Sequence, residues 1–200
     1  MGYLRGTGSV VPINYGKKPY TETIAMRRQI NSMKMQIRGN KPEIKVRQLV
    51  AAPSSVAVGT AVEVDLTAIQ QGDDSTNRSG RRINIKGFSI HTHPENRGID
   101  IYLIKSGSGI APTYASFQPV RQGHLTDETH HDFKIVKYLK PLYNTNYTRF
   151  VKRFKAPQYV YYQTAANNTG YKNTWHLVFK NDTNVAADIE YSVNVYYTDA

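Results

Sequence analysis

Residues 188–198, DIEYSVNVYYT, alternate between side chains of two kinds. One set is apolar or aromatic and consists of Ile189, Tyr191, Val193, Val195 and Tyr197. The residues between them are polar, except Tyr196. A period of two is that of a β-strand with one face in a hydrophobic core. The doublet Tyr196-Tyr197 must therefore present one ring to each face of the strand.

Segments of the same kind recur from about residue 48 onwards, separated by Gly, Pro, Asn and Asp. About eight strands are predicted, at 60–66, 82–93, 98–105, about 113–120, 133–138, 149–163, 175–180 and 188–198. Within 82–93 the apolar phase slips by one residue at Gly87, which predicts a β-bulge. Because no helical period follows residue 48, the pattern favours an antiparallel sandwich or barrel over βαβ units. The long connections suit a Greek-key or jelly-roll sandwich.

Positive charge is concentrated in the first quarter of the chain. The 200 residues contain 26 Lys and Arg against 15 Asp and Glu, a net charge of +11. Residues 1–48 hold ten basic and two acidic residues and so carry +8 of that charge. A basic arm on a nearly neutral body indicates nucleic acid or an anionic membrane surface as the partner. The alternative is a solvated tail without a partner.

Residues 21–38, TETIAMRRQINSMKMQIR, are predicted to form one short α-helix. Thr21 suits the N-cap, Gly39 ends the helix and Pro42 prevents its continuation. A narrow apolar stripe beside basic side chains suits packing against other copies, with the cations facing phosphates. The alternative is a helix that covers the edge of its own domain. Membrane-surface helices usually carry bulkier apolar residues than this stripe of Met26, Ile30, Met33 and Ile37.

The chain therefore divides into a basic N-terminal arm, 1–47, and a β domain, 48–200. The predicted nucleic-acid-binding residues are cations of the arm: Arg5, Lys17, Lys18, Arg27, Arg28, Lys34, Arg38 and Lys41.

Composition and motifs exclude several classes of protein. Without cysteine the chain has no disulfides, cysteine-based zinc sites or thiol catalysis. No run approaches the ~18 apolar residues of a membrane span, and the first residues lack an apolar signal core, so no membrane association or secretion is expected. Neither a phosphate-binding P-loop nor a nucleophile elbow occurs. We therefore expect no enzymatic activity.

The segment 69–80, IQQGDDSTNRSG, is similar to a loop of coat proteins from small icosahedral viruses. The pattern IxQGDDxxxRSG resembles that of the satellite necrosis viruses of plants. Capsid proteins of small circular single-stranded DNA viruses carry similar QGxxxxRxG loops. The ending VYYTDA, 195–200, is similar to the satellite ending VYTDA, and residues 24–31 resemble the short basic N-terminal helix of those proteins.

This resemblance implies an eight-stranded antiparallel jelly-roll subunit with an arm that points inward onto a single-stranded genome, DNA or RNA. About 60 copies would form a T=1 icosahedral shell. The protein would then be found in the virion, after assembly inside the host cell, and in the nucleus if the genome is DNA.

The resemblance also implies calcium between subunits. The ligands by position are the backbone carbonyls of Ser79 and Arg82 and the carboxylate of Asp199, and hard oxygen ligands suit calcium. The cations Arg81 and Arg82 would weaken such a site. Ion pairing of Arg78, Arg81 and Arg82 with nearby acids or a neighbouring subunit is the alternative role.

Two other functions remain open. One is a non-viral single-stranded nucleic-acid-binding β-barrel module in which Tyr159 or Tyr161 stacks on bases. The other is a carbohydrate-binding jelly roll, which explains the fifteen tyrosines but not the basic arm. Tyrosines are also favoured in the core of a β-sandwich and at subunit interfaces.

Overall fold

The computed structural model describes residues 26–33, 42–72, 76–94, 99–117, 124–126, 129, 131–139, 148–164 and 168–200. The chain divides into two compact units, Met1–Pro42 and Glu43–Ala200. The predicted boundary at 47/48 falls a few residues later, because the strand pattern already begins at Lys45.

Residues 26–33 are helical and exposed in the first unit. The helix predicted over 21–38 is thus confirmed for this part, and its two ends lie outside the described residues. The apolar stripe residues Met26, Ile30 and Met33 face solvent in the single chain. No helix in the described ranges has the length and apolarity needed to cross a membrane.

The second unit is an antiparallel β structure. Its described residues form nine strands: β1 Lys45–Val56, β2 Thr60–Asp65, β3 Arg82–Pro94, β4 Ile99–Ser106, β5 Phe133–Leu139, β6 Thr148–Tyr162, β7 Gly170–Lys172, β8 Thr174–Asn181 and β9 Ala187–Asp199. The five-stranded sheet has the order β1-β9-β3-β6-β7, and the four-stranded sheet the order β2-β8-β4-β5. All paired strands are antiparallel.

The hydrophobic core lies between the two sheets. The five-stranded sheet contributes one face of β3 and β9, with Ile90 and Val193 fully buried, and the four-stranded sheet contributes Trp175, Leu177 and Phe179. The alternation predicted for 188–198 is confirmed, because its apolar set is buried or partly buried in this core. Burial of each large apolar side chain stabilises the fold by about 1.5–3 kcal/mol.

The four-stranded sheet is buried on both faces. Its outer face carries a second cluster that includes Tyr102, Ile104 and Val178. Phe117 and Leu125, from the connection between β4 and β5, pack on this cluster and form an isolated bridge with each other. This explains why every residue of β8 is buried. Among the described residues, the outer face of the five-stranded sheet carries no such second hydrophobic cluster.

The predicted set of strands needs three corrections, one strand removed and two added. Residues 113–117 form a 3₁₀ turn, Tyr114–Ser116, and one isolated bridge instead of a strand, because they cross over the four-stranded sheet; residues 118–120 are outside the described part. β1 lies largely within residues that the alternation did not assign to a strand. The short strand β7, added at the edge of the five-stranded sheet, raises the count of described strands from the predicted eight to nine.

Candidate functional site

Two of the eight predicted nucleic-acid-binding residues of the arm lie among the described residues. Arg27 and Arg28 are exposed on the helical residues 26–33. The other six predicted nucleic-acid-binding cations lie outside the described residues: Arg5, Lys17, Lys18, Lys34, Arg38 and Lys41.

A basic groove runs along the outer face of the five-stranded sheet and has a volume of about 450 Å³. Four cations line it, together with apolar and aromatic side chains. The lining includes Lys86, Arg149, Lys152, Arg153, Ile44, Val151, Phe154 and Tyr196. We refer to it below as the basic groove.

The local sequence explains why these side chains meet. Arg149, Val151 and Arg153 occupy alternate positions of β6 and therefore share one face. Gly87 of β3 lies opposite Arg153 on one side and Tyr196 of β9 on the other. The floor of the groove is thus a glycine between a cation and an aromatic ring.

Gly87 also marks the predicted β-bulge, which the structure confirms as a register shift between Ile85 and Gly87. A Cβ atom at Gly87 would lie 2.3 Å from the carbonyl oxygen of Lys152. Such a distance is too short for any side chain, so glycine is needed for β3 and β6 to approach this closely.

The charge in the basic groove is not neutralised within the described chain. None of its four cations forms an ion pair with a described acid. Among the residues that the structure describes, no acidic residue lines it. In such an arrangement the cations can contact phosphates, and the ring of the partly exposed tyrosine can stack on a base. This combination is typical of single-stranded nucleic-acid binding.

Sequence reasoning assigned the nucleic-acid contacts to the arm and missed this surface. Lys86 and the β6 cations are far apart in the chain, and only the pairing of β3 with β6 brings them together. The available signal was the alternation Arg149-Val151-Arg153, which puts two cations on one face of a strand. The predicted split of Tyr196 and Tyr197 is confirmed: Tyr197 is fully buried and Tyr196 reaches the basic groove.

The residues predicted to hold calcium meet where the chain ends. The Asp199 carboxylate accepts a hydrogen bond from the Ser79 backbone N–H, 3.1 Å from Oδ1. Its second oxygen, Oδ2, is 2.9 Å from the Lys45 ammonium. That ammonium also donates to the Asn77 carbonyl at 2.7 Å. We call this contact between β1, the 69–80 loop and β9 the chain-end junction.

At the chain-end junction, burial and the neighbouring donors have opposite effects on the pKa of Asp199. Partial burial acts to raise the pKa of Asp199, but the hydrogen bonds from Lys45 and Ser79 outweigh it and lower the pKa below its ordinary value of 3.8. Burial, and secondarily the Asp199 charge, raises the pKa of the neighbouring Tyr197 phenol to about 12.

Arg78 connects the two ends of the 69–80 loop. Its side chain is fully buried, and its guanidinium stacks 3.8 Å from the centre of the Tyr162 ring. It donates to the Ile69 carbonyl at 3.1 Å and to the Gly80 carbonyl. Arg78 therefore holds the loop as a scaffold residue. Arg82 instead lies at the surface, with its guanidinium 4.7 Å from the Tyr159 ring centre.

The donor set that one chain offers does not suit calcium. Calcium takes six to eight oxygen ligands, several of them carboxylate oxygens. The described residues contain no group of three or more His, Cys, Asp or Glu side chains that could hold a metal ion. Ser79 presents its N–H, the Arg82 carbonyl accepts from the Ala200 N–H at 3.3 Å, and an ammonium already contacts Asp199.

A buried polar chain links β2 to β8. His176 Nδ1 lies 2.5 Å from Glu63 Oε1, and its Nε2 lies 2.7 Å from Thr174 Oγ1. The order hydroxyl, imidazole, carboxylate is that of a nucleophilic triad. Thr174 is fully buried and His176 is 2% exposed, so the hydroxyl has no access to a substrate in this structure. These side-chain contacts therefore cross-link β2 to β8 within the covered four-stranded sheet.

Comparison with known proteins found no family model that matches this chain and no match among curated proteins.

Proposed function

We propose that this chain is the coat protein of a small virus, a jelly-roll subunit that assembles into a T=1 icosahedral shell and packages a single-stranded genome. About 60 copies would form the shell. The basic arm and the basic groove would both contact the enclosed nucleic acid.

The strand pairing supports the jelly roll. The pairs β1–β9, β2–β8, β3–β6 and β4–β5 nest one inside the other along the chain. Successive pairs also alternate between the two sheets. Winding one long antiparallel hairpin into two sheets produces this order, which is the plan of jelly-roll capsid domains. The three-residue β7 is then an addition to an eight-strand plan.

The observation that carries the proposal is the difference between the outer faces of the two sheets. The four-stranded sheet is covered by its own chain, whereas the five-stranded sheet presents the basic groove. Jelly rolls occur in proteins of many functions, so the fold alone does not choose among them. An open cationic face together with a basic arm favours a polyanionic partner over a glycan.

The amount of charge is adequate for packaging. Residues 1–42 carry eight basic residues and one acidic residue, a net charge of +7. In a shell of about 60 subunits the arms would supply roughly 400 positive charges, enough to neutralise part of a short genome. Contacts of this kind depend on phosphates and are tolerant of sequence.

The test is the state of the purified full-length protein. We expect particles of about 1.4 MDa, given a 22.6 kDa subunit, in size-exclusion chromatography with light scattering and in electron microscopy. Their nucleic acid should resist nuclease until the shell is opened. A stable monomer across salt and pH would contradict the proposal. A small oligomer that binds single strands with steep salt dependence would favour the non-viral binding module instead.

A further inference from the structure

The chain-end junction contains a cation that belongs to the chain itself. Lys45 lies at the start of β1, paired with Tyr197 of β9, and its ammonium reaches Asp199, the last residue of β9. There it contacts the Asn77 carbonyl at 2.7 Å and Asp199 Oδ2 at 2.9 Å. We infer that Lys45 is the resident cation of this junction and that the junction needs no divalent metal.

The charge at the junction supports this inference. Asp199 contributes one negative charge, and each of its oxygens already has a donor, Ser79 N–H or Lys45. One ammonium balances one carboxylate. A divalent ion placed on the same carboxylate would lie beside the ammonium, where like charges repel strongly because the site is partly shielded from water.

The exposure of the two partners also supports it. The Lys45 side chain is 14% exposed and the Asp199 side chain 27%. A lysine held this far from water by two oxygen acceptors differs from a mobile surface lysine, whose ion pairs contribute little. Its contacts connect the first strand, the 69–80 loop and the last strand, which lie far apart in the sequence.

The inference does not depend on the proposed function, since it concerns one folded subunit. The experiment compares full-length wild type, Lys45→Met and Lys45→Arg by thermal unfolding, each in millimolar EDTA and in millimolar calcium. The exposed Lys134 of β5 provides a matched control as Lys134→Met, which removes the same charge away from the junction.

We expect the Tm of wild type to be equal in EDTA and calcium within about 1 °C. Lys45→Met should lower the Tm by about 3–6 °C, Lys45→Arg by less, and Lys134→Met by under about 1 °C. The comparison of wild type in the two buffers remains decisive even if Lys45→Met fails to fold.

Two results would overturn the inference. One is a rise of several degrees in the Tm of wild type with calcium that disappears in Asp199→Asn, because that would place a divalent ion on this carboxylate. The other is a folded Lys45→Met protein whose Tm equals that of wild type.

Discussion

Gly87 and Asp199 are two single residues on which the local structure depends. Gly87 allows β3 and β6 to come together at the bulge, with the Lys152 carbonyl where a side chain would begin. Asp199 ends the last strand and accepts hydrogen bonds from Ser79 and Lys45. At Gly87 the constraint on the side chain is steric, whereas at Asp199 it is electrostatic. Substitutions at the two positions should therefore destabilise the protein for different reasons.

We expect Gly87→Ala to destabilise the protein by about 2 kcal/mol, because the added methyl group forces β3 and β6 apart. This corresponds to a fall in Tm of about 5 °C for a chain of this size. Urea or thermal unfolding measures the change. Gly107→Ala is the control, since its Cβ would meet only the Asp132 carbonyl at 3.8 Å, an ordinary contact. Equal stabilities of the two variants would contradict this account of the bulge.

Asp199→Asn should destabilise the protein at neutral pH and have little effect in acid. A carboxyl whose pKa is lowered by folding stabilises the fold above its unfolded pKa, and this contribution is lost as the pH falls through the folded value. Because the folded pKa of Asp199 lies below 3.8, the difference in Tm between wild type and variant should be constant from pH 7 to about 5.

Below about pH 4 that difference should shrink towards zero. The ionisable groups facing Asp199 are Lys45, Arg78 and Tyr197. Asp132→Asn, at an exposed carboxylate away from the junction, is the control. A difference that persists undiminished at pH 3 would show that the Asp199 charge is not responsible.

At the scale of elements, β6 and the helical residues 26–33 both carry exposed cations. β6 directs Arg149 and Arg153 outward while Phe150 packs against the core, since alternate residues of a strand face opposite sides. The same strand thus stabilises the fold with one face and supplies a basic surface with the other.

The double variant Arg149→Gln/Arg153→Gln should weaken binding of a fluorescent single-stranded oligonucleotide. Each lost phosphate contact lowers the slope of log K against log salt by about 0.7, so the slope should fall by about 1.4. Fluorescence anisotropy over a range of salt concentrations measures it. Lys134→Gln/Lys172→Gln removes the same charge from exposed positions of β5 and β7 and should leave the slope nearly unchanged. Equal slopes for both double variants would exclude a specific role for the basic groove.

At the scale of the whole molecule, the chain separates the unit Met1–Pro42 from the β structure of Glu43–Ala200. The first unit holds most of the net charge, and the second holds the hydrophobic core. If the chain is a coat protein as proposed, this separation predicts that enclosing nucleic acid and building the shell depend on different parts of the chain.

Deletion of residues 1–38 should therefore leave shells that contain much less nucleic acid. The ratio of absorbance at 260 and 280 nm and the density of the particle interior in electron micrographs report the content. Full-length particles prepared in parallel are the control. Shells of the deletion variant with a full complement of nucleic acid would contradict the role of the arm. Retention of a minor fraction is expected, because the basic groove remains.

The sequence by itself determined that the second unit is β, that 188–198 has one buried face, that a bulge lies at Gly87 and that residues 26–33 are helical. These features depend on local periodicity and on single residues, so they do not require information about the rest of the chain. The strand predicted at 113–120 was wrong for the described residues 113–117, because burial against the four-stranded sheet overrode a local pattern that resembled a strand.

Only the tertiary structure decided which surfaces the chain leaves open. The basic groove requires β3, β6 and β9 to be neighbours, and the chain-end junction requires β1 to pair with β9. In the sequence, Lys45 is one of the cations of the basic arm, 1–47. Only the pairing of β1 with β9 places it beside Asp199. Strand order is set by which apolar faces can be buried together, a property of distant segments taken jointly, so no local pattern reveals it.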